Sequence, residues 1–143
     1  MSKVFLDTNI LLDYGQEREA FEAANAIYKL GEAGMIELYA SYLSYANLGY
    51  ILRHFPQSER YELINAMRKG IRVLPCDAPQ LDVTLRNPVK DYEDMLQYQC
   101  ALAFGCDVIV TNNKKDFHEF CLIPFVTSEE FLYEFFTSQS FNN

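Results

Sequence analysis

Short apolar runs rich in β-branched and aromatic residues alternate along the chain with longer segments whose apolar positions recur every three or four residues. Val4–Leu6, Leu38–Ala40, Ile71–Leu74, Val108–Val110 and Phe125–Thr127 read as strands. Between the first two, Ala20, Ala24, Ile27 and Leu30 repeat at helical spacing and run out at Gly31 and Gly34, a C-terminal stop signal. Leu43, Asn47, Tyr50, Ile51 and His54 share one face of a second helix that ends before Pro56. Ser58 is the expected cap of a third helix that turns Tyr61, Ile64 and Met67 inward, and Asp13 the expected cap of a helix near Tyr14–Gln16. A short helix follows Asp77 and Pro79, and another runs from Tyr92 to Phe104, apolar on most faces and so expected to be buried. Thr127-x-x-Glu130 has the form of a capping box and opens a last helix carrying Phe131, Leu132, Phe135 and Phe136. Strands alternating with helices predict a mostly parallel sheet covered on both faces. The expected fold is a three-layer α/β/α sandwich with a central sheet of four to five strands.

Composition narrows this without changing it. Half of the 143 residues are hydrophobic and 22% are charged, which describes a folded domain with a sizeable core rather than a disordered chain. Residues 1–137 are expected to form a single domain and Ser138–Asn143 a frayed tail. A strand beginning directly after Met1-Ser2-Lys3 leaves no room for a signal peptide. The longest apolar-rich stretch, Leu38–Leu52, is interrupted by Ser41, Ser44 and Asn47 and is too short for a bilayer. A cytoplasmic protein that does not enter the membrane is the expectation. Cys76, Cys100, Cys106 and Cys121 form no C-x-x-C pair and read as small buried thiols, and His54 and His118 are too isolated for zinc.

The net charge of −8 argues against general nucleic-acid affinity, which rests on Lys and Arg contacts to phosphate. Its distribution matters more. Between Arg53 and Arg72 stand Arg53, Arg60, Arg68, Lys69 and Arg72 against Glu59 and Glu62, a local excess able to hold an RNA backbone or simply to form a solvated helix face.

Candidate chemistry lies in three acidic segments. Val4-Phe5-Leu6 ends abruptly in Asp7-Thr8-Asn9, and open α/β sheets place ligands in the crevice beyond such strand ends. Asp7 and Thr8 would also suit capping of the next turn. Asp91-x-x-Asp94 could likewise be an N-cap and a first-turn acid, a role compatible with chemistry because a helix N-terminus holds carboxylates rigidly. Glu93 between them is expected to point elsewhere into solvent. Thr111 and Asp116 belong to a third loop, after Val110, in which Lys114 and Lys115 read as ordinary loop charges. Three carboxylates in one pocket repel and raise one another's pKa values. Hard divalent cations remove that penalty, and oxygen-only ligands favour Mg²⁺ or Mn²⁺.

Phe5-Leu6-Asp7-Thr8-Asn9-Ile10-Leu11-Leu12-Asp13, Asp91-Tyr92-Glu93-Asp94 and Thr111-Asn112-Asn113-Lys114-Lys115-Asp116-Phe117 together resemble the motifs of PIN domains, in the right order and over Val4 to Phe136. The nearest likeness is to the toxin ribonucleases of VapBC-type toxin–antitoxin pairs. The resemblance implies a parallel sheet and a Mg²⁺- or Mn²⁺-dependent endoribonuclease acting on single-stranded RNA, commonly a homodimer inhibited by a small antitoxin. By motif position it makes Asp7, Asp94 and Asp116 the catalytic metal-site acids, with Thr111 and Asn9 supporting them. Arg53, Arg68, Lys69 and Lys114 are the basic residues offered for RNA. The chain departs from the pattern at Asn47, where most such domains carry a Glu. An amide oxygen can coordinate a metal or a bound water but brings no charge, and Asp91, one turn from Asp94, is a candidate to compensate. Asn47 also motivates a second reading, a catalytically weak PIN-like module that binds RNA or protein. A third, a phosphotransfer domain using Asp7, fits less well because a haloacid-dehalogenase site wants Asp where this chain has Asn9.

Overall fold

The alternation of Val4, Phe5 and Leu6 settles how the first strand sits. In the computed structural model, which describes residues 1–142, all three are fully buried, but on opposite faces of a sheet. Val4 and Leu6 enter one core cluster and Phe5 the other. A strand buried on both faces is a central strand of a parallel sheet. β1 (Lys3–Leu6) accordingly pairs with β2 (Glu37–Ser41) on one side and β4 (Val108–Val110) on the other, with Phe5 opposite Tyr39 and Ile109. β3 (Arg72–Leu74) extends the sheet beyond β2, and β5 (Phe125–Val126) beyond β4. The order is β3-β2-β1-β4-β5 and every pairing is parallel, so the expected architecture is the observed one, with five strands.

Helices α1 (Thr8–Gly15), α2 (Phe21–Glu32), α3 (Tyr42–Ile51), α4 (Gln57–Arg68) and α7 (Ser128–Asn142) contribute to the first core, with Ile10, Ile27, Leu48, Met67 and Phe131 among its members. α6 (Tyr92–Ala103) supplies Met95, Tyr98, Cys100 and Ala101 to the second core, joined by Phe117 from the loop after β4, and α5 (Ala78–Arg86) packs against α6. The cysteines are free, and burial pushes the thiols of Cys100 and Cys106 up to about 12 and about 11, as inert core thiols require. No described helix is long and apolar enough to cross a membrane.

Several local expectations are corrected. Gly31 lies within α2, and the stop is Gly34, whose φ of +76° lets Met35 N–H reach back to Leu30 C=O at 3.0 Å. Gly31 serves packing: a Cβ there would stand 2.5 Å from Leu38 Cδ1. α4 starts at Gln57 behind Pro56, whose fixed φ of −55° suits a helix entry, so Ser58 is inside the helix. Tyr61 is 60% exposed rather than inward, leaving Met67 as the buried residue of α4. Asp13 caps nothing; it is buried within α1, accepts a 3.0 Å hydrogen bond from Asn112 and pairs with Arg18 at 3.4 Å. The Thr127–Glu130 capping box is present, with reciprocal bonds of 2.8 and 3.1 Å, and α7 spans Ser128–Asn142; the last residue of the expected tail Ser138–Asn143 lies outside the described residues.

Candidate active site

Asp7 stands where β1 ends, and its carboxylate is held from two directions. Oδ1 accepts the Thr8 N–H at 2.8 Å, which makes Asp7 the N-cap of α1, and Oδ2 accepts the Thr111 hydroxyl at 2.9 Å. Thr111 directly follows β4, and the Asp7 N–H bonds to Val110 C=O at 3.0 Å. β1 and β4 are the adjacent strands from which the chain winds in opposite directions, so Asp7 and Thr111 meet at the topological switch point. The capping reading and the functional reading of Asp7 are therefore the same geometry. Asp7 is 4% exposed, and burial pushes its carboxyl up to about 6. The Thr111 and Thr8 hydrogen bonds oppose that rise, while Asp91 and Glu93 add to it by repulsion.

Asp91 and Asp94 arrive on the first turn of α6. Asp91 is its N-cap, accepting the Asp94 N–H at 3.0 Å, and the helix terminus places partial positive charge beside both acids. Asp116 comes from a 3₁₀ turn, Lys114–Asp116, pinned by the fully buried Phe117 that follows it. Ligand oxygens of Asp91, Asp94 and Asp116 all lie within 4.8 Å of one another. Asp94 pays for this crowding: its carboxyl is pushed up to about 8, by burial first and then by Asp7, Asp91 and Asp116. The tight trio thus contains Asp91 where the sequence favoured Asp7, and Asp7 joins Asp94 in the wall of the adjoining cleft. Such a donor set, all hard carboxylate oxygen with no sulfur or imidazole, fits Mg²⁺ or Mn²⁺.

That cleft, of about 310 Å³, is lined by Asp7, Thr8, Asn9, Asn47, Tyr50, Ile51, Glu93, Asp94 and Gln97. On α3, Ser44 and Leu48 form the buried face, and Asn47, Tyr50 and Ile51, which share another face, line the cleft. Asn47 Nδ2 donates to Glu93 Oε1, so Glu93 lines the cleft instead of pointing away. Beneath the floor, Gln97 is 1% exposed and every polar atom of its amide is used. Its Oε1 accepts from the Ser41 hydroxyl at 2.5 Å, and its Nε2 donates to Ser44 Oγ at 2.9 Å and Thr8 Oγ1 at 3.2 Å. Ser41 caps α3 and Thr8 opens α1, so one amide ties the N-termini of α1 and α3 to α6.

The sequence model of the PIN domain matches residues 3–115. The chain belongs to the PIN domain family. Solved structures share the fold of this PIN domain at low identity. A DNA-bound VapBC from Salmonella typhimurium superposes with a TM-score of 0.69 at 21% identity, over 90% of this chain and 99% of that one. A toxin–antitoxin complex from Klebsiella pneumoniae gives 0.63 at 19%, over 87% and 97%. Mycobacterium tuberculosis VapC20, described as a Sarcin-Ricin loop cleaving toxin, gives 0.56 at 13%, over 74% and 86%. No curated protein is a significant match at the level of sequence.

The basic residues of this PIN domain are not gathered at the cleft. Arg53 borders it, its guanidinium stacked 3.9 Å from the ring centre of Tyr50, a cleft residue. Arg68 donates to Ile71 C=O and so closes the turn after α4, where Lys69 follows as the C-cap. Lys114 pairs with Glu130 at 3.0 Å. Sequence reasoning missed Glu93 and the Ser41–Ser44–Gln97 network. The network had a signal, polar residues inside apolar helix faces; Glu93 had none, because its facing partner is 46 positions away.

Proposed function

We propose that this PIN domain is a metal-dependent endoribonuclease that hydrolyses phosphodiester bonds in single-stranded RNA with Mg²⁺ or Mn²⁺, and that it is the toxin of a toxin–antitoxin pair. The observation that carries the reading is the approach of Asp91, Asp94 and Asp116 to within 4.8 Å, with Asp7 in the wall beside them. Asp7, Asp94 and Asp116 would hold the ion, with Asp91 adjoining. A divalent cation in such a site supplies charge to the reacting phosphate and lowers the pKa of the attacking water. The chain's own groups prepare the site: Thr111 and the Thr8 N–H orient Asp7, and Gln97 ties α6, whose first turn carries Asp91 and Asp94, to the N-termini of α1 and α3. Neither histidine lines the cleft, which fits a reaction whose base is not imidazole. Tyr50, 67% exposed and backed by Arg53, offers a stacking face to an unpaired base.

The likeness to the Klebsiella toxin–antitoxin complex and to VapC20 supports the toxin assignment and an antitoxin partner. The same proposal takes the working form as a cytoplasmic homodimer, for which exposed Tyr42 on α3 and Tyr61 on α4 supply interface surface. The deciding experiment is cleavage of fluorogenic single-stranded RNA with Mn²⁺ by the wild-type protein and Asp7→Asn. Replacing a ligand should cost more than the roughly 10–100-fold typical of outer-shell changes, without loss of thermal stability. Full activity in Asp7→Asn sinks the assignment. The second reading, a catalytically weak binding module, is favoured only by the uncharged Asn47; absence of both Mn²⁺ binding and cleavage in the wild-type protein selects it.

A further inference from the structure

We infer that the polar cavity on the far side of Asn9 is a nucleobase subsite, and that it takes a guanine next to the scissile phosphate of single-stranded RNA. This deepens the nuclease reading and rests on it. The cavity, of about 580 Å³, adjoins the acid-lined cleft: Asn9 stands in the wall of both. One loop serves the two. Thr111 holds Asp7, and the next residue, Asn112, donates to Asp13 at 3.0 Å and accepts the Ser128 N–H at 3.2 Å. An RNA strand with a phosphate at the acids thus reaches the cavity with an adjoining nucleotide, and bases of unpaired RNA are read by hydrogen bonds to their edges.

The lining selects the occupant. Ala20 is its only hydrocarbon side chain, so a base is held there by hydrogen bonds and not by stacking. Asp13, Glu19 and Glu129 outnumber Arg18, which repels a phosphate but not a neutral base. Nor do these acids form a second cation site: among the described residues, the acids whose oxygens gather are Asp91, Asp94 and Asp116. Instead the cavity sets a fixed donor beside free acceptors. Asp13, 6% exposed, pairs with Arg18 Nε at 3.4 Å, and the two terminal nitrogens of that guanidinium have no partner among the described residues. The carboxylates of Glu19 and Glu129 are uncommitted too. A guanidinium pairs bidentately with O6 and N7 of guanine. Guanine alone among the four bases also presents two adjacent donors, N1–H and the N2 amino group, to a carboxylate, which only accepts.

The test uses labelled oligouridines whose central position is G, A, C or U, cleaved by the full chain with Mn²⁺ and titrated against Asp7→Asn by fluorescence anisotropy. The guanosine oligomer is expected to be cut beside its guanosine, with kcat/KM about tenfold or more above the others, as one bidentate pair supplies. It should bind Asp7→Asn more tightly by a similar factor. Arg18→Ala is expected to bring the guanosine oligomer to the level of the others in both measurements. Arg18→Lys keeps a charge against Asp13 but cannot pair bidentately, and should do the same at the wild-type melting temperature. Arg86→Ala on α5 should retain the preference. Equal values for the four oligomers, a preference for another base, or a guanosine preference that survives both Arg18 variants overturns the subsite and leaves the nuclease reading intact. Guanosine-selective binding without cleavage supports the base pocket and overturns the nuclease reading. Neither binding nor cleavage of any oligomer overturns both.

Discussion

Asp7 and Asp94 are carboxylic acids that the fold holds under protest. Each has its pKa raised, to about 6 and about 8, chiefly by burial. A carboxyl raised on folding stabilises the protein fully below its unfolded value near 3.8, and that contribution is lost as pH rises through the folded value. Metal-free protein should therefore lose stability steadily between about pH 4 and pH 8. For the 4%-exposed Asp7 the loss is at most about 3 kcal/mol, at roughly 1.4 kcal/mol per pKa unit. Saturating Mn²⁺ should abolish the slope, because a ligated carboxylate no longer resists ionisation. Thermal melts across that range with and without Mn²⁺ check this; a metal-free midpoint that climbs with pH contradicts it. Thr111→Val asks the complementary question. Losing the 2.9 Å hydrogen bond to Asp7 Oδ2 should weaken Mn²⁺ roughly 10–100-fold, by leaving the carboxylate unoriented and harder to ionise.

Two glycines separate what a helix wants from what its packing allows. Gly31 in α2 faces Leu38 of β2, and a Cβ would meet Leu38 Cδ1 at 2.5 Å and Cγ at 2.7 Å. Gly49 in α3 has no atom within 4 Å of the same construction. Alanine gains about 0.5–1 kcal/mol over glycine in a helix interior, whereas overpacking a core costs about 1–3 kcal/mol. Gly49→Ala should accordingly stabilise and Gly31→Ala destabilise, as read by urea unfolding of each; equal gains in both would mean that α2 can shift away from β2 freely. The pair also shows which parts of the fold were legible beforehand. Strand positions followed from runs such as Val108–Val110, whose burial on both sheet faces leaves little choice of role, and the parallel order followed from the helices between them. Helix entries were less legible. Pro56 rather than Ser58 opens α4, and Asp7 opens α1 while also serving the cleft, because capping chemistry is shared by several residue types. On α3, the shared face expected for Asn47, Tyr50 and Ile51 borders the cleft, while Ser44 and Leu48 supply the buried face.

The site as one body was legible to the extent that its parts sit at strand ends. Asp7 and Thr111 stand where β1 and β4 end, Asp116 in the turn after β4 and Asp94 in the first turn of α6, and Asn9 and Asn47 line the cleft with Asp7 and Asp94. Asp91 entering the tight trio and Glu93 turning toward Asn47 depend on how α6 docks against α3, which no local pattern encodes. The net charge is −8, no Lys or Arg lines the cleft, Arg68 closes a turn and Lys114 pairs with Glu130. Affinity for single-stranded RNA should then depend only weakly on salt. With each phosphate contact contributing about −0.7 to the slope of log K against log[salt], a slope no steeper than about −2 is expected. Arg53→Ala should flatten that slope by about 0.7, and Arg68→Ala should leave it unchanged while lowering the melting temperature. Fluorescence anisotropy of labelled RNA on the Asp7→Asn background, where cleavage cannot interfere, measures both. A slope several units steeper would place RNA on a basic surface away from the cleft, and Arg60, Lys69 and Arg72 would then be the residues to replace.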